Sequence, residues 1–294
     1  MSPFSNRYFS PLRYPGGKRR IYDFIKELIT LNNLGGLTYI EPYMGGAGVA
    51  LRLLYENVME KAILNDFDTT IFKFWSIVLY ETSDFVKWLS NVEVNIENWF
   101  YYRDIYKNWN SHSDFDVACS VFFLNRTNVS GVINGGMIGG FKQVGKYNIC
   151  SRFNKTELTR RIELVGRLSD RIQLYNLDGV ALMEKITQNK NESFSYIDPP
   201  YVKKGKGLYM NFLNTEDHEK LAIFLKTYEK SWILSYDDSQ IIKDLYSEKE
   251  NVKYYLSHST SNKKGVELLF FSQGIEYKNS LKHLEIDCDS HLIN

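Results

Sequence analysis

The chain has 294 residues, 44% of them hydrophobic and 24% charged, the composition of a soluble globular protein with one large domain or a core plus a smaller module. Thirty-six Lys and Arg against 35 Asp and Glu leave a net charge of +1, a balance that by itself speaks against a strongly basic nucleic-acid binder. The longest largely apolar run, Val117–Leu124, is far short of a membrane span, the opening stretch lacks a signal-peptide pattern, and the cysteines and histidines form no disulfide framework, CxxC or HExxH motif, so a reduced, cytoplasmic protein with no metal and no membrane is expected.

A basic opening comes first: Arg7, Arg13, Lys18, Arg19 and Arg20, with no acid before Asp23. It leads into an amphipathic helix with Ile21, Ile25, Leu28 and Ile29 on one face. Residues 37–42 read as a short buried strand, followed by a turn with Gly45, Gly46 and Gly48. Residues 49–59 read as a helix, and 61–64 as a second strand ending at Asn65-Asp66. Strand, glycine-rich turn, helix, strand and acidic tip make half of a doubly wound α/β nucleotide fold. Helices are predicted over 69–80, 83–91, 96–108 and 115–125, and after Arg126 the pattern stops in a stretch with six glycines between 131 and 145. Segment 142–171 carries eight bases against three acids, whereas 81–116 carries seven acids against three bases. The neutral total therefore hides a segregated charge distribution.

The last third returns to α/β alternation. Strands are predicted at 172–178, 194–197 and 232–236, and helices at 179–187, 215–229 and 239–246. Residues 252–258 and 266–272 look like a closing antiparallel hairpin whose loop carries Lys263 and Lys264. The expected architecture is one α/β domain built from both ends, 1–66 and 171–294, with a mainly helical insertion at 67–170.

Asp198-Pro199-Pro200-Tyr201, at the carboxyl end of a predicted strand, is the sharpest feature. The bland alternative is a proline-rich turn that merely ends the strand. The chemical reading concerns an amine on an aromatic ring, whose lone pair is delocalised and poorly nucleophilic. Two acceptors aimed at its N–H groups favour the pyramidal form and stabilise developing positive charge. Asp198 can supply a carboxylate, Pro199 a carbonyl and Tyr201 a flat stacking face. A duplex base must leave the stack to reach such a pocket. Glu41 to Gly48 form a glycine-rich turn that lets a ligand approach the backbone closely, although such turns also cap strands. The chain has neither a Walker loop nor GxGxxG at that turn. Asp66 can accept two ribose hydroxyls or can cap the helix before Thr69. Tyr14-Pro15-Gly16-Gly17-Lys18 reads alone as an ordinary turn before a helix.

In this order, the three motifs resemble the Dam-type (D12 class) family of DNA adenine-N6 methyltransferases. The aromatic-x-GGK motif is matched by Tyr14–Lys18, the E-P-[FY] glycine loop by Glu41–Gly48 and the acidic tip by Asn65-Asp66. F-L-N-R is matched by Phe123–Arg126, G-x-[FY]-N by Gly145–Asn148, and the late S-x-x-x-x-K-x-x-E-L-L phrase by Ser259–Leu269. The match spans residues 12–272. It implies a Rossmann-like, S-adenosylmethionine-dependent methyltransferase sheet with a mainly helical target-recognition insertion.

The resemblance also implies roles. Tyr14, Lys18, Glu41, Pro42, Tyr43, Gly45, Gly46, Asp66 and Asp178 would hold the cofactor, and Asp198 would serve both the cofactor's amino group and the target amine. Asp198, Pro199, Pro200 and Tyr201 would form the catalytic tetrapeptide for metal-free methyl transfer to N6 of a flipped adenine in double-stranded DNA. Asn125, Arg126, Asn128, Lys142, Lys146, Arg152, Lys263 and Lys264 are candidate DNA contacts. For Lys155 to Arg171 a solvated helix face competes with phosphate contact. Many relatives carry Y-N-G after F-L-N-R and recognise GATC; here the chain reads Thr127-Asn128-Val129-Ser130-Gly131. A separately acting cognate restriction endonuclease is a further partner that the resemblance admits. The competing readings are a catalytically silent DNA-binding relative and a methyltransferase acting on RNA or a protein amide.

Overall fold

The hydrophobic runs of both chain ends meet in one sheet. In a computed structural model, residues 9–13, 19–189, 191–202, 213–257 and 264–286 are described. The strands are β1 Thr38–Glu41, β2 Lys61–Asn65, β3 Ile172–Tyr175, β4 Ser193–Ile197, β5 Ser231–Asp237, β6 Asn251–Ser257, β7 Lys264–Phe271 and β8 Glu285–Ile286. Their order across the sheet is β3-β2-β1-β4-β5-β7-β6-β8. β1 pairs in parallel with β2 and β4, and β4 in parallel with β5. β7 runs antiparallel between β5 and β6. The hairpin read from the sequence is present, but its second strand is the inner one.

This order has a consequence for binding. The chain leaves β1 for β2 on one side and returns to β4 on the other, so the β1/β4 boundary is a topological switch point. Open α/β sheets bind ligands outside the carboxyl ends of the strands at such points. All five residues of β4 are buried, as expected of a central parallel strand covered on both faces.

The chain divides into two compact units: Lys18–Phe67 with Tyr175–Asn294, and Met1–Gly17 with Asp68–Leu174. In the first, α1 (Arg19–Leu31) buries Ile21, Ile25, Leu28 and Ile29, the face that its spacing predicts. It also holds α2 (Gly48–Tyr55) and α8 (Gly179–Thr187), together with α9 (Thr215–Thr227) and α10 (Gln240–Leu245).

The second unit holds α3 (Thr69–Tyr80), α4 (Thr82–Asn91), α5 (Ile96–Lys107), α6 (Asp114–Thr127) and α7 (Lys155–Gly166). The α6 residues Val117 to Thr127 are all buried, and Phe122 stacks on Phe74 with centroids 5.9 Å apart. Much of the high aromatic content is thus core. The described residues before Lys18 go with this unit, not with the sheet. The physical reason is local: the Asn125 side chain accepts from Arg13 N at 2.7 Å and donates to Arg13 O at 2.7 Å.

α9 carries a buried histidine. His218 Nδ1 lies 2.7 Å from the Tyr236 hydroxyl on β5. Burial lowers its pKa from the ordinary 6.5, against smaller opposite pulls from Asp237 and Asp217. The folded chain thus resists a proton that the unfolded chain accepts. Stability is full above 6.5 and falls as pH drops below it. We expect wild-type melting temperature to fall more between about pH 8 and about pH 5.5 than that of His218→Gln. Equal falls would show that His218 is not held neutral.

Candidate active site

Two neighbouring strand ends supply the site. β4 ends at Ile197, and Asp198-Pro199-Pro200-Tyr201 follows directly. The adjacent β5 reaches across to this tetrapeptide. Ser235 Oγ donates to Asp198 Oδ1 at 3.0 Å, and Val202 N donates to Asp237 Oδ1 at 3.2 Å. A third anchor comes from β7: the Tyr201 hydroxyl donates to Glu267 Oε1 at 2.5 Å. Asp198 and Tyr201 remain partly exposed while Pro199 is buried. Burial, with Asp198 and Glu267 nearby, pushes the Tyr201 phenol well above its usual pKa. The hydroxyl therefore stays protonated and donates.

On the other side of the switch point, β1 ends at Glu41, which is buried and accepts from the Tyr39 hydroxyl at 2.9 Å. The turn after it is held by the tip of β2. Met44 N donates to Asn65 O at 2.8 Å, and Gly45 N to Asp66 Oδ2 at 3.0 Å. Gly45 has φ +44°, in the left-handed region that favours glycine. Asn65 is fully buried and satisfied on all sides. Its Nδ2 donates to Pro42 O at 2.8 Å and Leu177 O at 2.9 Å, and its Oδ1 accepts from Leu177 N at 2.9 Å. One amide thus joins the glycine turn to the loop before α8.

In that loop, Asp178 caps α8 by accepting from Val180 N at 3.0 Å and Ala181 N at 3.1 Å. The Tyr43 ring lies so close to Gly179 that a Cβ there would sit 2.5 Å from the Tyr43 hydroxyl. Only glycine admits this packing. The alternative role for Asp66 as the α3 cap falls to Asp68, whose side chain accepts from Thr70 N at 2.8 Å. The Asp66 carboxylate instead faces the glycine turn. Gly46 is buried in the same turn.

The recognition candidates fall into two sets within the helical unit. Asn125, Arg126 and Asn128 point inward. Asn125 Nδ2 also donates to Gly131 O at 2.8 Å. Arg126 donates to Arg152 O through Nε at 2.9 Å and Nη2 at 2.6 Å. Burial first, then Arg13, Arg161 and Arg152, lowers the Arg126 pKa to about 9. Asn128 accepts from Trp99 Nε1 at 2.6 Å and donates to Val132 O at 3.0 Å and Ile133 O at 2.7 Å. These side chains shape the glycine-rich loop. Lys142, Lys146 and Arg152 are exposed. On α7, Arg160 and Arg161 pair with Glu157 at 2.9 and 3.0 Å, and Lys155 donates to Ser90 O at 2.7 Å. That helix spends much of its basic charge internally. Tyr14, Lys18 and Lys263 lie outside the described residues, as does the side chain of Lys264.

Sequence reading passed over Asn65, Ser235, Asp237 and Glu267 as site residues. Ser235 and Asp237 left a faint signal: they alternate at the end of a hydrophobic strand, so both face the same way. Glu267 sat inside a matched phrase without an assigned role. Among the described residues, no three His, Cys, Asp or Glu side chains gather into a metal site.

The D12 class N6 adenine-specific DNA methyltransferase family matches residues 14–260 of the chain. Type II methyltransferase M.MjaIII of Methanocaldococcus jannaschii is 26% identical over 237 residues, covering 74% of this chain and 80% of that protein. Type II methyltransferase M.CviBI of Paramecium bursaria Chlorella virus NC1A is 23% identical over 240 residues, covering 80% of this chain and 85% of that protein.

Proposed function

Because the chain belongs to the D12 class of N6 adenine-specific DNA methyltransferases, we propose that it moves a methyl group from S-adenosylmethionine to N6 of an adenine turned out of duplex DNA. The observation that carries this reading is the placement of Asp198. It stands at the carboxyl end of β4, beside the β1 turn at the switch point, with one carboxylate oxygen hydrogen-bonded by Ser235. The turn fits the proposed cofactor. Its backbone can approach a ligand closely, and the Asp66 carboxylate at the neighbouring strand tip suits a ribose diol. Tyr43, Gly45, Gly46 and Asp66 would hold it, with Glu41, Pro42 and Asp178 supporting the turn and the loop before α8. When bound, the cofactor supplies an electrophilic methyl group on sulfonium.

The chain's own residues do the rest. Asp198 accepts one N–H of the target amine and the Pro199 carbonyl accepts the other, which localises the nitrogen lone pair. The ring of Tyr201 stacks on the extruded base. With the cofactor bound, the amine so held would take its methyl group from the sulfonium, which would leave as a neutral thioether, and the surplus N6 proton would go to solvent. Lys142, Lys146 and Arg152 meet phosphates, and Asn125, Arg126 and Asn128 hold the loop that presents them. The loop reads Thr127-Asn128-Val129-Ser130-Gly131 where many relatives carry Y-N-G, so GATC recognition is not carried over to it from that motif. No helix among the described residues is long and apolar enough to cross a membrane, and a cytoplasmic setting with access to DNA belongs to this reading. A cognate endonuclease would be a separate chain.

The test is methyl incorporation from labelled cofactor into duplexes of varied sequence, with modification-sensitive sequencing of DNA from expressing cells. Label in adenine at one sequence context supports the proposal. No label above background on any duplex refutes it.

A further inference from the structure

The site contains a buried carboxylate to which the reaction gives no direct task. Glu267 on β7 is 2% exposed. It accepts from the Tyr201 hydroxyl through Oε1 and from the Tyr254 hydroxyl through Oε2, each at 2.5 Å. Sheet register brings these groups together. Glu267 pairs directly with Asp237 of β5 on one side and with Tyr254 of β6 on the other. Asp237 in turn accepts from Val202 N, one residue past Tyr201. Tyr201 is therefore held twice, by its hydroxyl and by the peptide that follows it.

We infer that Glu267 is a positioning residue for the target base: it fixes where the Tyr201 ring lies, and hence where the extruded adenine stacks. The inference rests on the stacking role proposed for Tyr201. A tyrosine ring can flip about its own axis without moving its hydroxyl, so a bond to that oxygen fixes where the ring lies. Short O–H bonds to a carboxylate are the strong kind. A buried carboxylate also needs such donors to offset its lost hydration. Burial and the neighbouring carboxylates raise the phenol pKa of both tyrosines, so both keep donating across the working pH range. Tyr201 as a residue is only partly buried, although its hydroxyl is tied inward.

The experiment compares Tyr201→Ala, Tyr201→Phe, Glu267→Gln, Glu267→Leu and the double variant Tyr201→Phe/Glu267→Gln. Three quantities are read: single-turnover methyl transfer at saturating DNA, the affinity for DNA, and the fluorescence of 2-aminopurine placed at the target adenine. Misplacement of a positioned group costs on the order of ten- to a hundredfold in rate. We therefore expect Tyr201→Phe and Glu267→Leu each to slow transfer by about tenfold. DNA affinity should stay within about twofold while the quenching of the extruded base changes. The double variant should be no slower than the slower single one, because both substitutions act on the same bond, which Tyr201→Phe removes and Glu267→Gln weakens. Should Glu267→Leu fail to fold, Tyr201→Phe and the double variant remain, since they break the bond from the other end. If Tyr201→Ala stops transfer while Tyr201→Phe and Glu267→Gln run at the wild-type rate and quenching, Glu267 does not position the ring. If Tyr201→Ala itself leaves quenching and transfer unchanged, the stacking role fails, independently of Glu267. Losses that simply add in the double variant would also overturn the inference.

Discussion

Asp198→Ala is expected to abolish methyl transfer while the chain still folds. Asp198 is partly exposed at a strand end, so removing its side chain opens no core cavity. It does remove the one charged acceptor proposed for the reacting amine. Positioned electrostatic groups of this kind are worth about 3–4 kcal/mol, or roughly a hundred- to a thousandfold in rate. If Asp198 also holds the cofactor's amino group, cofactor affinity falls as well, and the combined loss exceeds that range. Ser235→Ala provides the contrast. It removes one hydrogen bond to Asp198 Oδ1 and leaves the carboxylate in place. A single bond to a charged group is worth about 1.5–3 kcal/mol, so transfer should fall by roughly ten- to a hundredfold. Single-turnover rates with saturating duplex separate the two, with far-ultraviolet circular dichroism as the check on folding. Normal turnover in Asp198→Ala would remove it from the mechanism. A Ser235→Ala loss as large as that of Asp198→Ala would mean that the hydroxyl, not the carboxylate, is the principal group.

Asp66→Ala should chiefly weaken cofactor binding. Its carboxylate accepts from Gly45 N in the turn and is proposed to take the ribose hydroxyls. Hydrogen bonds to a charged group contribute about 1.5–3 kcal/mol each. The dissociation constant for S-adenosylmethionine should therefore rise by about thirtyfold or more. Asp66→Asn keeps the shape and one acceptor oxygen, so it should recover part of the affinity. Isothermal titration reads this directly without DNA. With saturating cofactor the turnover of Asp66→Ala should return most of the way to normal, which distinguishes it from Asp198→Ala. Unchanged affinity in Asp66→Ala would place the ribose elsewhere.

The readable parts of the molecule are those encoded over a few consecutive residues. The α1 face announces itself through Ile21, Ile25, Leu28 and Ile29, all buried in the fold, because a helix repeats every 3.6 residues. Strands β1 and β4 stand out as short apolar runs closed at Pro42 and Pro199. The Asp198–Tyr201 tetrapeptide is visible because two prolines in a row end a strand in a way few sequences do. The acidic 81–116 and basic 142–171 segments also show that a net charge of +1 is no argument against a nucleic-acid partner.

What the string of residues did not show depends on register and on distant partners. Asn125 and Asn128 look like polar groups available for DNA, yet both are buried and bonded to their own unit. For Lys155, Arg160 and Arg161 the sequence leaves phosphate contact and a solvated helix face side by side, and only the fold shows that each bonds within the chain. On paper Asp66 can cap the helix before Thr69, and the geometry gives that cap to Asp68.

By itself, the sequence determined the element order, the switch from one strand-and-helix half to the other, and the identity of the tetrapeptide at the tip of β4. Only the tertiary structure decided that β7 lies inside β6, that Asn65 ties the Pro42 turn to Leu177, and that Ser235, Asp237 and Glu267 converge on residues 198–202. The physical reason is that hydrophobic periodicity and turn chemistry are short-range, whereas a hydrogen bond between residues dozens of positions apart exists only once strand order and register are set.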